Sequence, residues 1–346
     1  MLVLYAALAC VGAAPWASAG CRILEEARIN VRTLDNRVVT AGRIDGAPVL
    51  VLIDTGTAFS FLTRATADRL HLIRQADPRY QIFGVGGQAD TDETYVRRLE
   101  VGSLLTQNAW LLLLNPERGP EPGVGLVLGE KLLSRYTTEF DLAHGVIRLL
   151  HPEGCESDEL TYWSHTYALA KLVDPEEAGP HIVTEVVLNG HRFSAVLDTG
   201  ARTSVITRAA AERAGVAPWE HGVRPVGKSG GMGSEPVDTW IGTFDTFRLG
   251  DEEIRNVKLR IADLFVNDRQ IPLGSIVARP VPGLPDILIG CDFFLSHRLL
   301  VLLAEHKLLF TYNGGPVFQT ISGAPQPPRA GAGAAGAKAQ PPASAP

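Results

Sequence analysis

The sequence has few of the residues that metal and redox sites need. Its four cysteines, Cys10, Cys21, Cys155 and Cys291, include no pair at zinc-finger or redox spacing. Nine histidines are scattered without an H-E-x-x-H pair, so a zinc peptidase has no support and no metal or cofactor is expected. There is no long basic run, and the formal net charge is −6, which argues against nucleic acid as a partner. After the first 19 residues no stretch is long and apolar enough to span a bilayer. The apolar fraction, 45%, is ordinary for a globular chain, and 346 residues suffice for one large or two medium cores.

The two ends stand apart from the rest. Leu2 to Trp16 is apolar and leads into Ala17-Ser18-Ala19, a small-residue cleavage pattern. Residues 1–19 therefore read as a signal peptide, and the chain as exported, periplasmic or secreted. No Lys or Arg lies near the start, and an uncleaved anchor or a buried helix are the other readings. Ser18 to Cys21 loosely resembles a lipoprotein box, with Ser18 where an aliphatic residue is usual. Residues 321–346 are Ala, Gly and Pro with almost no apolar bulk, and such a tail is expected to be disordered.

Between the ends the chain repeats itself. Residues 38–70, VVTAGRIDGAPVLVLIDTGTAFSFLTRATADRL, align without a gap on residues 182–214, IVTEVVLNGHRFSAVLDTGARTSVITRAAAERA, 144 positions later. Asp54-Thr55-Gly56 falls on Asp198-Thr199-Gly200, and Ser60 and Thr63 fall on Ser204 and Thr207. In each copy a β-branched run meets a two-residue hairpin turn, Asp45-Gly46 or Asn189-Gly190. A second apolar strand then ends in the Asp-Thr-Gly triplet, and Thr63 and Thr207 are predicted to cap short Ala-rich helices. At the same spacing Gly86-Gly87 falls on Gly230-Gly231, and the copies close with Leu128-Gly129 and Ile289-Gly290. The predicted fold is mainly β, with residues 20–150 as one lobe, 151–175 as the connection and 176–320 as the second lobe.

One Asp-Thr-Gly triplet is weak evidence, since Asp and Gly are common in turns. Two, each after an apolar strand within matching repeats, are strong evidence. A carboxylate at the end of a buried strand resists ionisation, and glycine lets the backbone turn tightly. If the copies pack about a pseudo-twofold axis, the two carboxylates meet and share one proton. The ionised member can then activate water while the other polarises a carbonyl.

These triplets, glycine turns and closing motifs resemble the aspartic peptidases of the pepsin and retroviral-peptidase type, over roughly 28–150 and 175–315. Cys291-Asp292-Phe293-Phe294 after Ile289-Gly290 is similar to bacterial retroviral-like members. The resemblance implies two acid-protease lobes, each closed like a β-barrel, with a cleft between them and no second chain needed for activity. It implies that Asp54 and Asp198 are the catalytic dyad and that Thr55, Gly56, Thr199 and Gly200 support it. Gly86, Gly87, Gly230 and Gly231 would be flap tips over a peptide or protein substrate. Lys131 departs from the family, which often has an acidic or amide residue there, and Thr57 replaces a smaller residue. In this architecture the strands entering and leaving a lobe lie close, so Cys21 and Cys155 are expected to form a disulfide, with two free thiols as the other reading. Cys291 is expected to be buried and free.

Two motif matches fail on context. Gly222 to Ser229, GVRPVGKS, fits a phosphate-binding loop, but Gly230, Gly231, Gly233 and Pro236 leave no helix to follow it, so no nucleotide is expected. The same glycines exclude a nucleophile elbow at Ser229. Two functions remain: an exported aspartic endopeptidase, or a catalytically weak peptide-binding module that keeps the cleft. The intact triplets favour the first.

Overall fold

The structure is a computed structural model that describes residues 20–84, 87–114, 123–178, 181–230, 236–265, 269–270, 279–280 and 283–318. The N-terminal segment 1–19, Gly86, Gly231 and the tail from 319 lie outside these residues.

The first repeat runs β1 (Arg22–Asn30), β2 (Arg32–Leu34), β3 (Arg37–Ile44), β4 (Ala47–Asp54), β5 (Phe61–Thr63), α1 (Arg64–Arg69), β6 (Arg74–Gly84), β7 (Gly87–Val101), β8 (Leu104–Leu114), β9 (Val124–Gly129), α2 (Glu130–Leu133), β10 (Thr137–Asp141) and β11 (Val146–Glu153). After α3 (Ser157–Leu160), β12 (Ala168–Lys171) and α4 (Pro175–Ala178), the second repeat follows. It comprises β13 (Val183–Leu188), β14 (His191–Leu197), β15 (Val205–Thr207), α5 (Arg208–Arg213), β16 (Arg224–Ser229), β17 (Val237–Leu249), β18 (Glu252–Ala262), β21 (Ile287–Ile289), α6 (Cys291–Ser296), β22 (His297–Leu302) and β23 (Lys307–Tyr312), with the two-residue pair β19 (Arg269–Gln270) and β20 (Arg279–Pro280) before β21.

The two lobes have one topology. In the first, the strand order is β3-β4-β9-β5-β8-β7-β6 with β2 on the edge, and β3 also pairs with β7 to close the sheet on itself. In the second it is β13-β14-β21-β15-β18-β17-β16, closed by β13 on β17. The local chemistry is the one the repeat predicts. Asp45 and Gly46 turn with φ of 48° and 86°, and Asn189 and Gly190 with 49° and 81°. These left-handed values suit Asp, Asn and Gly. The Thr63 side chain accepts from Thr66 N–H at the start of α1, and Thr207 accepts from Ala210 N–H at the start of α5. Residues 224–229 form a strand paired with β17, not the loop and helix of a phosphate site.

A third sheet joins the lobes, in the order β1-β11-β10-β22-β23-β12. At its centre Thr138, Glu139 and Phe140 stand opposite Val301, Leu300 and Leu299. This register is symmetric about Glu139 and Leu300, so the pseudo-twofold axis passes between them. Within the segment read from sequence as a connection, β12 pairs with β23 as β1 pairs with β11. Thr40 donates to Asn30 O in the first lobe and Thr184 to Lys171 O in the second, which makes β12 the counterpart of β1. Phe140 and Phe294 meet edge-on at 5.3 Å where the lobes join one apolar core. Cys21 and Cys155 are disulfide-bonded, tying the start of the chain to the end of the first lobe. No helix among the described residues is long and apolar enough to cross a membrane.

Candidate active site

Alternation along β4 and β14 sets the site. Ile53 and Val51 point into the central core, whereas Leu52 shares a face with Asp54. Likewise Leu197 and Ala195 enter the core and Val196 shares a face with Asp198. Parallel partners hold both strand ends: Asp54 stands beside Gly129 on β9, and Asp198 N–H donates to Ile289 O at 2.8 Å. Gly129 and Gly290 sit where any side chain would strike the backbone of the loop that follows the aspartate, at Thr57–Phe59 and Ala201–Thr203. Glu130 N–H donates to Thr57 O and Cys291 N–H to Ala201 O, both at 2.8 Å, so each closing motif braces its triplet.

The triplets interlock across the lobes. Thr55 donates its hydroxyl to Leu197 O at 2.7 Å, and Thr199 donates its own to Ile53 O at 2.8 Å. Each hydroxyl also accepts the other threonine's N–H, at 3.1 and 3.0 Å. All four bonds are buried, where an unmade bond is costly. A Cβ on Gly56 would overlap the Asp198 carboxylate, and one on Gly200 would overlap that of Asp54. Each glycine therefore makes room for the opposite lobe's acid.

The environments of the two acids differ slightly. Asp54 Oδ1 accepts one backbone N–H, from Gly56 at 3.0 Å. Asp198 Oδ1 accepts two, from Gly200 at 2.8 Å and Ala201 at 3.1 Å. Both retain some surface in the cleft but are densely surrounded by protein. Burial pushes the Asp54 carboxyl well above the usual carboxylate range, and the neighbouring Asp198 charge pushes it further. Burial also raises Asp198, while its two N–H donors favour its ionised form. The pair thus holds one proton more tightly than isolated carboxyls do. The Arg37 guanidinium works against this rise in both.

Behind the dyad the lobes diverge. In the second, Asp292 accepts from Ser204 N–H at 2.9 Å and from its hydroxyl at 2.7 Å, and that hydroxyl in turn accepts Gly290 N–H at 3.0 Å. In the first, Ser60 accepts Gly129 N–H at 3.1 Å, but Lys131 replaces the acid and its ammonium lies over the Phe59 ring. Cys291 is buried and unpaired, and its thiol donates to Thr199 O. Burial, then the nearby carboxylates, push that thiol well up, away from reactive thiolate. At the matching place in the first lobe stands Glu130, 2% exposed, whose Oε2 has no hydrogen-bond partner among the described residues. Burial pushes its carboxyl well up.

Of the flap residues read from sequence, Gly87 opens β7 opposite Gly84, and Gly230 directly follows β16. Cys21 directly precedes β1 and Cys155 lies two residues past β11, just beyond the Arg22–Glu153 end of the joining sheet. Two residues near the acids were missed: Arg37, whose charge reaches both carboxylates, and His181, which senses Asp198. They are 144 positions apart, so the repeat spacing could have paired them; their different side chains hid it. Among the described residues no group of His, Cys, Asp or Glu could hold a metal ion.

Two like lobes, each giving one carboxylate to a cross-bonded pair, define a protein of the acid-protease fold. The family model described as aspartyl protease matches residues 39–130 and 184–293, more than half of the chain, and the chain belongs to that family. Among solved structures it is similar to a retropepsin-like aspartic protease from Rickettsia conorii, at 16% identity and a TM-score of 0.28, over 38% of this chain and 95% of that one. No curated protein matches it.

Proposed function

We propose that this chain is an aspartic endopeptidase that cleaves an extended peptide held between its lobes, using a water activated by Asp54 and Asp198. The observation that carries this reading is the mutual seating of each carboxylate against the other lobe's glycine, locked by the four threonine bonds. Two buried acids so close share one proton. Ionised Asp198 takes a proton from water as it attacks the scissile carbonyl carbon, and protonated Asp54 gives its proton to the carbonyl oxygen. Collapse of the tetrahedral gem-diol breaks the C–N bond: the leaving nitrogen takes the proton held by Asp198, and one diol hydroxyl returns its proton to Asp54, which restores the starting pair.

A small buried apolar cluster backs the dyad's face of each lobe, with Leu52, Phe61 and Val127 in the first and Val196, Val237 and Leu288 in the second. The Cys21–Cys155 disulfide supports export to an oxidising compartment. The test is incubation of a randomised peptide pool with the wild type, Asp54→Asn and Asp198→Asn, followed by mass spectrometry. Cleavage by the wild type alone fits the proposal; equal cleavage by a folded Asn variant contradicts it, and peptide binding without cleavage would favour a peptide-binding module.

A further inference from the structure

The lobes match in backbone but not in the charge they place beside the dyad. At the 144-residue spacing His181 corresponds to Arg37, Val183 to Val39, Ser194 to Leu50 and Val196 to Leu52. On the second-lobe side these residues open onto a cavity of about 320 Å³. Val183, Val196, Leu284 and Pro285 give it apolar walls, His181 contributes an imidazole, and the exposed Glu177 stands at the rim. The cavity adjoins the dyad: Leu197 N–H donates to Ile182 O at 3.0 Å, which sets His181 beside Asp198, and Val196 lies on the carboxylate's own face.

One polar group in the wall of this cavity is short of a partner. Nδ1 of His181 is buried and has no hydrogen bond among the described residues. Burial lowers the imidazole below its usual range, so the ring stays neutral and can accept a hydrogen bond. A ligand group that fits must have an apolar stem and a donor or positive charge at its tip. Lys and Arg side chains have this form, since their methylenes bury while their heads seek acceptors. The matching place in the first lobe carries a guanidinium and Leu50, which disfavours a cation there.

We propose that the Glu177–His181 cavity is a subsite for a lysine or arginine side chain of the substrate, and that its contrast with Arg37 sets the direction in which a peptide lies in the cleft. The proposal rests on the peptidase reading only for the ligand being a peptide. A symmetric cleft would accept a chain in either direction with similar affinity. Opposite charge preferences on its two sides make one direction the better fit.

The probe is a peptide pool randomised at every position, read in two ways: cut sites made by the wild type, and peptides retained by the immobilised Asp54→Asn protein. Lys and Arg should be enriched at one position only, on one side of the cut bond. In Glu177→Gln the ratio of Lys- to Leu-bearing peptides at that position should fall roughly two- to fivefold, as for an exposed ion pair. His181→Leu should lower the same ratio without shifting preferences elsewhere. Enrichment in the retained peptides without any cleavage would sink the peptidase reading and leave the subsite standing. Equal Lys and Leu at all positions, enrichment of aromatic residues there, no retention at all, or an unchanged ratio in Glu177→Gln would overturn the subsite.

Discussion

Glu139 of the first lobe is clamped by Arg298 of the second, whose Nη2 reaches its carboxylate at 2.8 Å beside the pseudo-twofold axis. Arg148 grips the same oxygen, and the Tyr162 hydroxyl donates to the other at 2.6 Å. Glu139 is fully buried, and the two arginine side chains are only 17% and 13% exposed. Glu139→Ala leaves Arg148 and Arg298 poorly solvated and held by longer ion pairs, to Asp141 at 3.9 and 3.5 Å and from Arg148 to Glu25 at 3.6 Å, and should cost about 3 kcal/mol. Urea unfolding of the variant against the wild type checks this, and a change below 1 kcal/mol would mean that solvent already screens the cluster.

The second prediction concerns pH and the dyad. Both aspartates have folded-state pKa values raised above their unfolded values. At pH below the unfolded value the carboxyls are protonated in both states, and their titration has no effect on stability. As pH climbs past it, the unfolded chain releases protons that the folded dyad keeps, so the dyad destabilises the fold. Asp54→Asn should therefore abolish cleavage yet raise the melting temperature, more at pH 7 than at pH 3.5. Wild-type cleavage should fall as pH rises and the shared proton is lost. A variant melting below the wild type at pH 7 would contradict this.

Glu130, just behind the dyad, titrates with the same sign. Its carboxyl is buried and pushed up by that burial alone. The same sign applies: neutral in the fold, it costs stability once pH exceeds the ordinary glutamate range. Glu130→Gln should match the wild type near pH 4 and exceed it near pH 8, as read by thermal melts. Equal melting at both would show that the carboxyl is solvated.

The disulfide closes a separation of 134 residues. Cys21→Ser should cost about 2–5 kcal/mol, the usual range for losing a native bridge. Cys291, buried beside Thr199, should resist a thiol reagent in both proteins until they unfold. Rapid labelling of Cys291 in the native wild type would contradict its burial.

Much of the site could be read in the sequence because the repeat is gapless where chemistry is local. Strand, turn, triplet and cap occupy adjacent positions, so Asp54, Thr55, Thr63 and their partners declare themselves by spacing. What escaped depends on distant parts of the chain. The strand β12 is four residues long and is a strand only because β23 offers it an edge. Glu139, Arg148 and Arg298 converge from three strands with no common motif. Glu130 and Cys291 share a place but no chemistry, and a search for identical residues passes over them.

Pairing β10 with β22 within a single polypeptide has a consequence for mass action. Both acids and both threonines belong to one molecule, so the paired carboxylates are brought together by folding and not by an encounter between subunits. The tether holds the halves at an effective concentration that dilution cannot change. Specific activity should then be the same at picomolar and micromolar enzyme, whereas a site shared between separate chains would lose activity as its halves came apart.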